Sequence, residues 1–218
     1  LVNGFAREFI VDQLSCGRTS MPPKTAPKQD TKLVLIEAGI NIMMEKGYNN
    51  TGIQEVLSSV GVPKGSFYHY FDSKEDFACN IIEHFDQCYS NRILESLRDK
   101  TISPVKRLKK YCQAGKANLL AQECRKGCLI GNLSQEMADQ SETLRLCLSR
   151  VMGKWRDMFS GCIEEGQKNG EISSSFSPNA MAELFLSGWE GAVMRAKATK
   201  SVEPLDVFID LFFAQILK

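Results

Sequence analysis

One short stretch, VGVPKGSFYHYFDSKEDF at residues 60–77, constrains the fold more than any other part of this sequence. Gly61 suits a left-handed turn, and Pro63 has the fixed φ angle that is favourable in the first turn of a helix. We therefore expect a short helix over residues 63–71. The following SKED, at 73–76, has the N-cap serine and acidic first turn that begin a new helix.

The short predicted helix should have one buried and one exposed face. Phe67 and Phe71 are four positions apart and therefore share a face, which we expect to be buried. Tyr68 and His69 would then project outwards with polar tips. A small helix of this kind presents hydrogen-bonding groups from a rigid apolar base.

A second short helix is predicted immediately before this one. TGIQEVLSS, at residues 51–59, has apolar residues at helical spacing and Thr51 as its expected N-cap. Two short helices joined by a tight turn with a glycine form a helix-turn-helix, the second helix of which enters the DNA major groove.

The stretch over residues 31–77, centred on EKGYNNTGIQEVLSSVGVPKGSFYHYFDSKEDF, resembles the N-terminal DNA-binding domain of the TetR family of bacterial repressors. The resemblance implies a homodimer that binds a palindromic operator on double-stranded DNA through its second short helix. The DNA contacts that it implies are Thr51, Lys64, Gly65, Ser66, Tyr68, His69, Tyr70 and Lys74.

The rest of the chain is predicted to be helical. No stretch alternates with period two for long enough to suggest a sheet, so the expected fold is all-α. Beyond the first domain, the expected helices cover residues 73–97, 103–122, 127–139, 142–169, 178–199 and 204–217. We expect three segments: a vector-derived leader at 1–20, for which a native extension is the alternative; a helix-turn-helix DNA-binding domain at 21–75; and a larger helical ligand-binding and dimerisation domain at 76–218.

Two long helices of the second domain are rich in aromatic and small residues. The resemblance implies that the pair around 144–169 and 178–199 forms a four-helix dimer interface, although these faces could instead close the core of the monomer. Their large aromatic residues suggest a pocket for a small apolar or aromatic ligand, or alternatively plain core packing. These residues are Trp155, Phe159, Phe185 and Trp189.

The cysteines carry a second hypothesis. Eight cysteines without an export signal indicate a reducing cytoplasm and not a disulfide framework. Cys124 and Cys128 flank Arg125-Lys126-Gly127, and Cys128 stands at an expected helix start, where thiolate is favoured. The GCL…LS.E segment here resembles a TetR subgroup that senses electrophiles and oxidants. We therefore expect Cys128 to sense or line a ligand, with Cys124 as a second candidate; the alternative for Cys128 is that it only packs.

Other functional classes find little support. The two histidines, His69 and His84, cannot form a histidine-rich metal centre, and no glycine-rich nucleotide motif or set of nucleophile and base is present. We expect no metal, no cofactor, no membrane segment and no enzymatic activity. The near-neutral net charge of +1 means that the DNA hypothesis depends on local geometry.

The functional prediction is a repressor that is released from its operator by a small-molecule inducer or by cysteine modification. The signal would move the C-terminal helices and, through the helix over 73–97, change the separation of the two DNA-binding heads. Two alternatives remain open: a TetR-like activator, and an all-α ligand-binding protein that does not bind DNA.

Overall fold

The structure, a computed structural model, describes residues 28–216, and its side chains are described for residues 31–214. Within this range all regular structure is helical, which confirms the all-α fold class. The leader predicted at 1–20 and the stretch up to residue 27 lie outside the described residues. None of the described helices is both long and apolar enough to cross a membrane.

The helices follow one another with short connections. In chain order they are α1 (Lys28–Lys46), α2 (Ile53–Ser59), a 3₁₀ helix (Lys64–His69), α3 (Lys74–Leu97), α4 (Pro104–Ala121), α5 (Leu129–Met137), α6 (Glu142–Lys168), α7 (Pro178–Thr199), α8 (Glu203–Leu211) and a π-helical turn (Phe212–Ile216).

These helices form two compact units. Of the described residues, the N-terminal unit comprises those up to Cys88 together with Leu129–Ser149, and the C-terminal unit comprises Tyr89–Cys128 and those from Arg150 onwards. The N-terminal unit contains all the described part of the helix-turn-helix segment that we predicted at 21–75.

The helix ends follow local chemistry. Gly47 ends α1 with φ +79°, and Gly61 turns the chain after α2 with φ +68°, both values that glycine adopts without strain. At the start of α3, the Ser73 hydroxyl accepts the Asp76 amide at 3.0 Å, and the Asp76 carboxylate accepts the Asp72 amide at 3.0 Å. Ser73 is therefore the N-cap of α3, and the return bond from Asp76 reaches the residue before it; this confirms the helix start predicted at Ser73.

Two local predictions are wrong. Thr51 does not cap α2: the N-cap residue is Gly52, and the Thr51 hydroxyl donates to the Gly47 carbonyl at 2.6 Å. The helix predicted over residues 63–71 is shorter, at Lys64–His69, and is a 3₁₀ helix. Gly65 and a connection of only four residues before α3 leave too little chain for an extended α-helical ladder.

The core of the N-terminal unit forms where α1, the 3₁₀ helix and α3 pack together. Gly39 permits the close approach, since a Cβ atom there would stand 2.5 Å from side-chain atoms of both Phe77 and Ile81. Phe67 and Phe71 fill the space beside Phe77, with ring centroids 5.4 and 4.7 Å from it. The predicted buried face of the short helix is therefore confirmed.

The core of the C-terminal unit contains a buried arginine that pairs with a partly exposed glutamate. Arg107 on α4 is 1% exposed, donates to the Leu97 carbonyl at 2.8 Å and binds the Glu165 carboxylate of α6 through both terminal nitrogens. These hydrogen bonds lower the pKa of Glu165 to about 2. The pair joins α4 to α6 and also satisfies the end of α3.

Candidate functional site

The 3₁₀ helix presents a polar surface on an aromatic base. Phe67 is fully buried, whereas the Tyr68 side chain next to it is 69% exposed. Their rings meet edge to face at 5.3 Å, so the exposed tyrosine stands on a fixed support. Of the other predicted DNA contacts on this helix and its end, Lys64, Gly65 and His69 are exposed, and Ser66 and Tyr70 are partly exposed.

Lys74 gives this surface a cationic edge. Its ammonium lies 4.5 Å from the centroid of the Tyr48 ring and 3.4 Å from the Asn49 carbonyl oxygen. Partial burial lowers the pKa of Lys74, and burial also raises the pKa of the Tyr48 hydroxyl. The cation is thus held in place beside the turn between α1 and α2, and Tyr48 packs under it.

Thr51 is placed differently from the other predicted DNA contacts. It is 2% exposed, and its amide donates to the Tyr48 carbonyl at 3.1 Å. Both its hydroxyl and its amide therefore have partners inside the protein. These contacts describe a residue that holds the turn, and its predicted contact with DNA stays a prediction.

Sequence reasoning did not assign a role to Glu136, which anchors the same turn. Its carboxylate on α5 accepts the backbone amides of Tyr48 and Asn49, each at 2.8 Å. Gly47 makes room for the carboxylate, since a Cβ atom there would lie 2.5 Å from it. Glu136 is the last residue of the GCL…LS.E motif, so a signal for it was present in the sequence.

A second candidate site lies in the C-terminal unit, where a pair of tyrosines joins the predicted aromatic residues. Tyr89 on α3 and Tyr111 on α4 share a hydrogen bond, with their hydroxyls 2.7 Å apart. The Tyr89 ring lies 4.5 Å from Trp155, and the Tyr111 ring lies 4.9 Å from Phe159 and 5.5 Å from Trp189. Phe185 completes the cluster, 4.8 Å from Phe159.

The four predicted aromatics are packed more tightly than a pocket lining requires. Trp155, Phe159 and Phe185 are fully buried, and Trp189 is 2% exposed. By contrast, Tyr89 and two other polar residues, Cys128 and Glu190, keep partly accessible surface.

Glu190 is the residue that sequence reasoning missed in this region. Burial raises the pKa of its carboxyl to about 7, although a hydrogen bond from the Cys128 thiol acts in the opposite direction. Burial, and then negative charge at Cys128 and Glu190, also raises the pKa of the Tyr89 hydroxyl. A lone acid inside the apolar run LFLSGWEGAVM was the available sequence signal.

The structure changes the expected surroundings of Cys128. It directly precedes α5, as predicted, but its hydrogen-bond partner is an acid, and an ionised acid opposes thiolate formation. When Glu190 accepts the thiol proton, however, the same contact assists reaction at sulfur. The site therefore combines a thiol, a carboxyl and a tyrosine hydroxyl.

Cys124 lies in a different environment from Cys128. It is 2% exposed, has a left-handed backbone with φ +53°, and its carbonyl accepts the Lys200 ammonium at 3.3 Å. These features fit a structural residue in the turn before α5, and the predicted sensor role of Cys124 stays a prediction. Across residues 28–216, no group of three or more histidine, cysteine or acidic side chains could hold a metal ion.

The helix-turn-helix with its exposed polar face defines a class: DNA-binding transcriptional regulators. Residues 35–78 match the family described as bacterial regulatory proteins, tetR family, and residues 104–212 match the tetracyclin repressor-like C-terminal domain. The chain belongs to the tetR family of bacterial regulatory proteins. Members of this family are transcriptional regulators that bind DNA operators as dimers, which confirms the predicted regulator, DNA partner and absence of an enzymatic role.

Three relatives span most of the chain. It is 37% identical to the transcriptional regulator AcuR of Cereibacter sphaeroides, covering 87% of both chains. It is 36% identical to the transcriptional repressor DhaR of a Mycobacterium species, covering 84% of this chain and 90% of the relative. The crystal structure of reduced Escherichia coli NemR superposes with a TM-score of 0.78 at 30% identity, covering 87% of this chain and 97% of that one.

Proposed function

We propose that this protein is a homodimeric cytoplasmic repressor that leaves a palindromic operator when a small molecule binds or modifies the site formed by Cys128, Glu190 and Tyr89. One observation carries the proposal: a thiol, a carboxyl with a pKa of about 7 and a tyrosine hydroxyl converge beside a buried aromatic wall. The relatives DhaR and NemR are both described as repressors, which supports repression and not activation.

The DNA-facing surface of each subunit is the exposed side of the 3₁₀ helix. Lys64, Gly65 and Ser66 approach base edges or the nearest phosphates, and Tyr68, His69 and Tyr70 contact phosphates. Lys74 adds a phosphate contact from the edge of the same surface. Support for this assignment comes from the exposure of Tyr68 beside the buried Phe67.

The dimer interface is proposed on α6 and α7. On α7, Leu184 and Met194 are 49% and 57% exposed, which is unusual for large apolar side chains. Ser187 and Gly191 lie between them on the same stripe, at helical spacing, and small residues there let a second helix approach. A two-fold contact on this stripe would match a palindromic operator.

The proposed signal is a small electrophile or a reversible ligand with an apolar body and a polar head. The Cys128 sulfur would add to the electron-poor carbon of a C=C bond conjugated to a carbonyl group while Glu190 takes the thiol proton. The π electrons of that bond pass to the carbonyl group as an enolate, which Glu190 then protonates, so the thiol adds across the double bond. The described cysteines are all free thiols, which fits the reducing cytoplasm that we propose as the location. For a hundredfold loss of operator affinity, the signal must favour the released state by about 2.7 kcal/mol.

α3 is the proposed route of the signal, since one helix carries both Lys74 and Tyr89. Cys128 offers a second connection because it directly precedes α5, the helix that carries Glu136. A displacement at the C-terminal site would then alter the spacing of the two DNA-binding heads.

Fluorescence anisotropy with an operator fragment selected from random DNA tests the proposal. The wild type, Cys128→Ser and the control Cys88→Ser would each be titrated with and without methyl vinyl ketone, a small α,β-unsaturated carbonyl compound. We expect the ketone to release wild type and Cys88→Ser but not Cys128→Ser. Equal release of all three proteins, or of none, would remove Cys128 as the trigger.

A further inference from the structure

Two other cysteines in the N-terminal unit lie unusually close together. Cys79 on α3 and Cys147 on α6 have their sulfur atoms 3.3 Å apart. Both are free thiols, and both side chains keep partly accessible surface. A small oxidant can therefore reach a pair of thiols that already share a hydrogen bond.

The geometry is close to that of a disulfide. A disulfide bond is about 2.05 Å long, so the sulfurs need to approach each other by roughly 1.3 Å. Each cysteine has one side-chain torsion, and a modest rotation about it moves only the sulfur. The two residues are 68 positions apart in sequence, so a bond would join two different helices of one unit.

We propose that Cys79 and Cys147 form a redox modification site at which a hydroperoxide closes a reversible disulfide between α3 and α6. One thiolate attacks the peroxide, giving a sulfenic acid and, for hydrogen peroxide, hydroxide that is protonated to water. The second thiol displaces the sulfenic oxygen as another water, forming the S–S bond. Two thiols and one peroxide thus become one disulfide and two waters.

The environment of Cys79 indicates which of the two cysteines reacts first with the peroxide. Burial, the contact with Cys147 and the nearby acids Glu75 and Asp76 raise the pKa of Cys79 to about 12. Cys79 therefore keeps its proton and donates it towards the Cys147 sulfur. We therefore assign Cys147 as the thiol that attacks the peroxide and Cys79 as the thiol that resolves the sulfenic acid.

This site is independent of the proposed signal at Cys128, because it uses different residues in the other unit and a different reagent. An alkylating ketone cannot close a disulfide, and the reaction proposed here remains possible in the Cys128→Ser protein. Failure of one proposal therefore leaves the other standing.

Peptide mapping of the full chain tests the inference. The Cys128→Ser protein would be treated with hydrogen peroxide, its free thiols blocked under denaturing conditions, and the product digested with trypsin without reduction. We expect a cross-linked pair of peptides, residues 75–92 and 146–150, that a thiol reductant separates. On a non-reducing gel the protein should keep the mobility of a single chain.

Two variants make the assignment specific. The peptide at residues 75–92 contains Cys79 and Cys88, so Cys88→Ser should retain the cross-link while Cys79→Ser loses it. The proposal is overturned if other cysteines form disulfide bonds while Cys147 remains a free thiol. It is also overturned if other cysteines form disulfide bonds while Cys147 is oxidised to sulfinic acid without forming one. A cross-link between two chains, or one through Cys88, would overturn it as well. Retention of the cross-link in Cys88→Ser by itself assigns it to Cys79, so a misfolded Cys79→Ser protein cannot obscure the result.

Discussion

The carboxylate of Glu136 on α5 accepts the backbone amide of Tyr48 at 2.8 Å, 88 positions earlier in the chain. It accepts the amide of Asn49 at the same distance. A single side chain thereby satisfies two amides of the turn that positions the helix-turn-helix.

Replacing Glu136 should loosen that turn. In Glu136→Ala the two amides lose their acceptor, and we expect the free energy of unfolding to fall by about 1–2 kcal/mol, since the turn is partly open to water. Urea unfolding followed by circular dichroism measures the change. Gln135→Ala, an exposed neighbour on the same helix, is the control and should be nearly neutral. An equal effect of the two variants would contradict the anchoring role of Glu136.

Lys64→Ala tests the DNA-facing surface. The side chain is exposed at the start of the 3₁₀ helix, so its loss should leave the fold intact. If Lys64 contacts a phosphate, operator affinity should fall and the slope of log K against log salt should decrease by about 1 per subunit. Anisotropy titrations at several salt concentrations give both quantities. Lys106→Ala, an exposed lysine on α4, should change neither, and the assignment fails if both lysines behave alike.

Glu190→Gln tests the buried carboxyl through the dependence of stability on pH. Because the pKa of Glu190 is raised to about 7 in the folded protein, folding favours its protonated form. The stability associated with this group is complete below its ordinary pKa and is lost as pH rises through 7. Wild type should lose about 1–3 kcal/mol more than Glu190→Gln between about pH 5 and pH 8.

Urea unfolding at the two pH values measures this difference. The control is Glu183→Gln, an exposed acid on the same helix, which should follow the wild-type dependence. If the free energy of unfolding of wild type changed with pH in parallel with that of Glu190→Gln, folding would not raise the pKa of this carboxyl.

Gly115→Ala tests how closely α4 approaches the aromatic cluster. A Cβ atom at residue 115 would lie 2.5 Å from the Trp189 indole, so the ring must move. We expect a loss of about 1–3 kcal/mol in unfolding free energy and an altered tryptophan emission spectrum. At Gly161 on α6 nothing lies within 4 Å, and alanine there should stabilise the helix by up to about 1 kcal/mol. Destabilisation of similar size at both positions would count against the packing described.

Much of the fold follows from local sequence. The cap at Ser73 and the buried face of Phe67 and Phe71 agree with prediction, because each depends on neighbouring residues. These interactions span four positions or fewer, so the sequence determines them almost alone. Thr51 is the exception. Threonine is a favourable N-cap residue, but the Thr51 hydroxyl donates its hydrogen bond to the Gly47 carbonyl in the preceding turn.

The partners of the polar groups were decided by the tertiary structure. Sequence reasoning selected Cys128 and the four aromatics, yet it could not select Glu190, Tyr89 or Glu136, whose partners lie far away in the chain. An acidic residue in an apolar stretch of sequence indicates a special site, but the sequence does not show which residues the acid contacts. The pKa of that acid and the approach of Cys79 to Cys147 depend on burial and on distances between helices. Helical periodicity determines which face of a helix is buried, whereas only packing determines what that face meets.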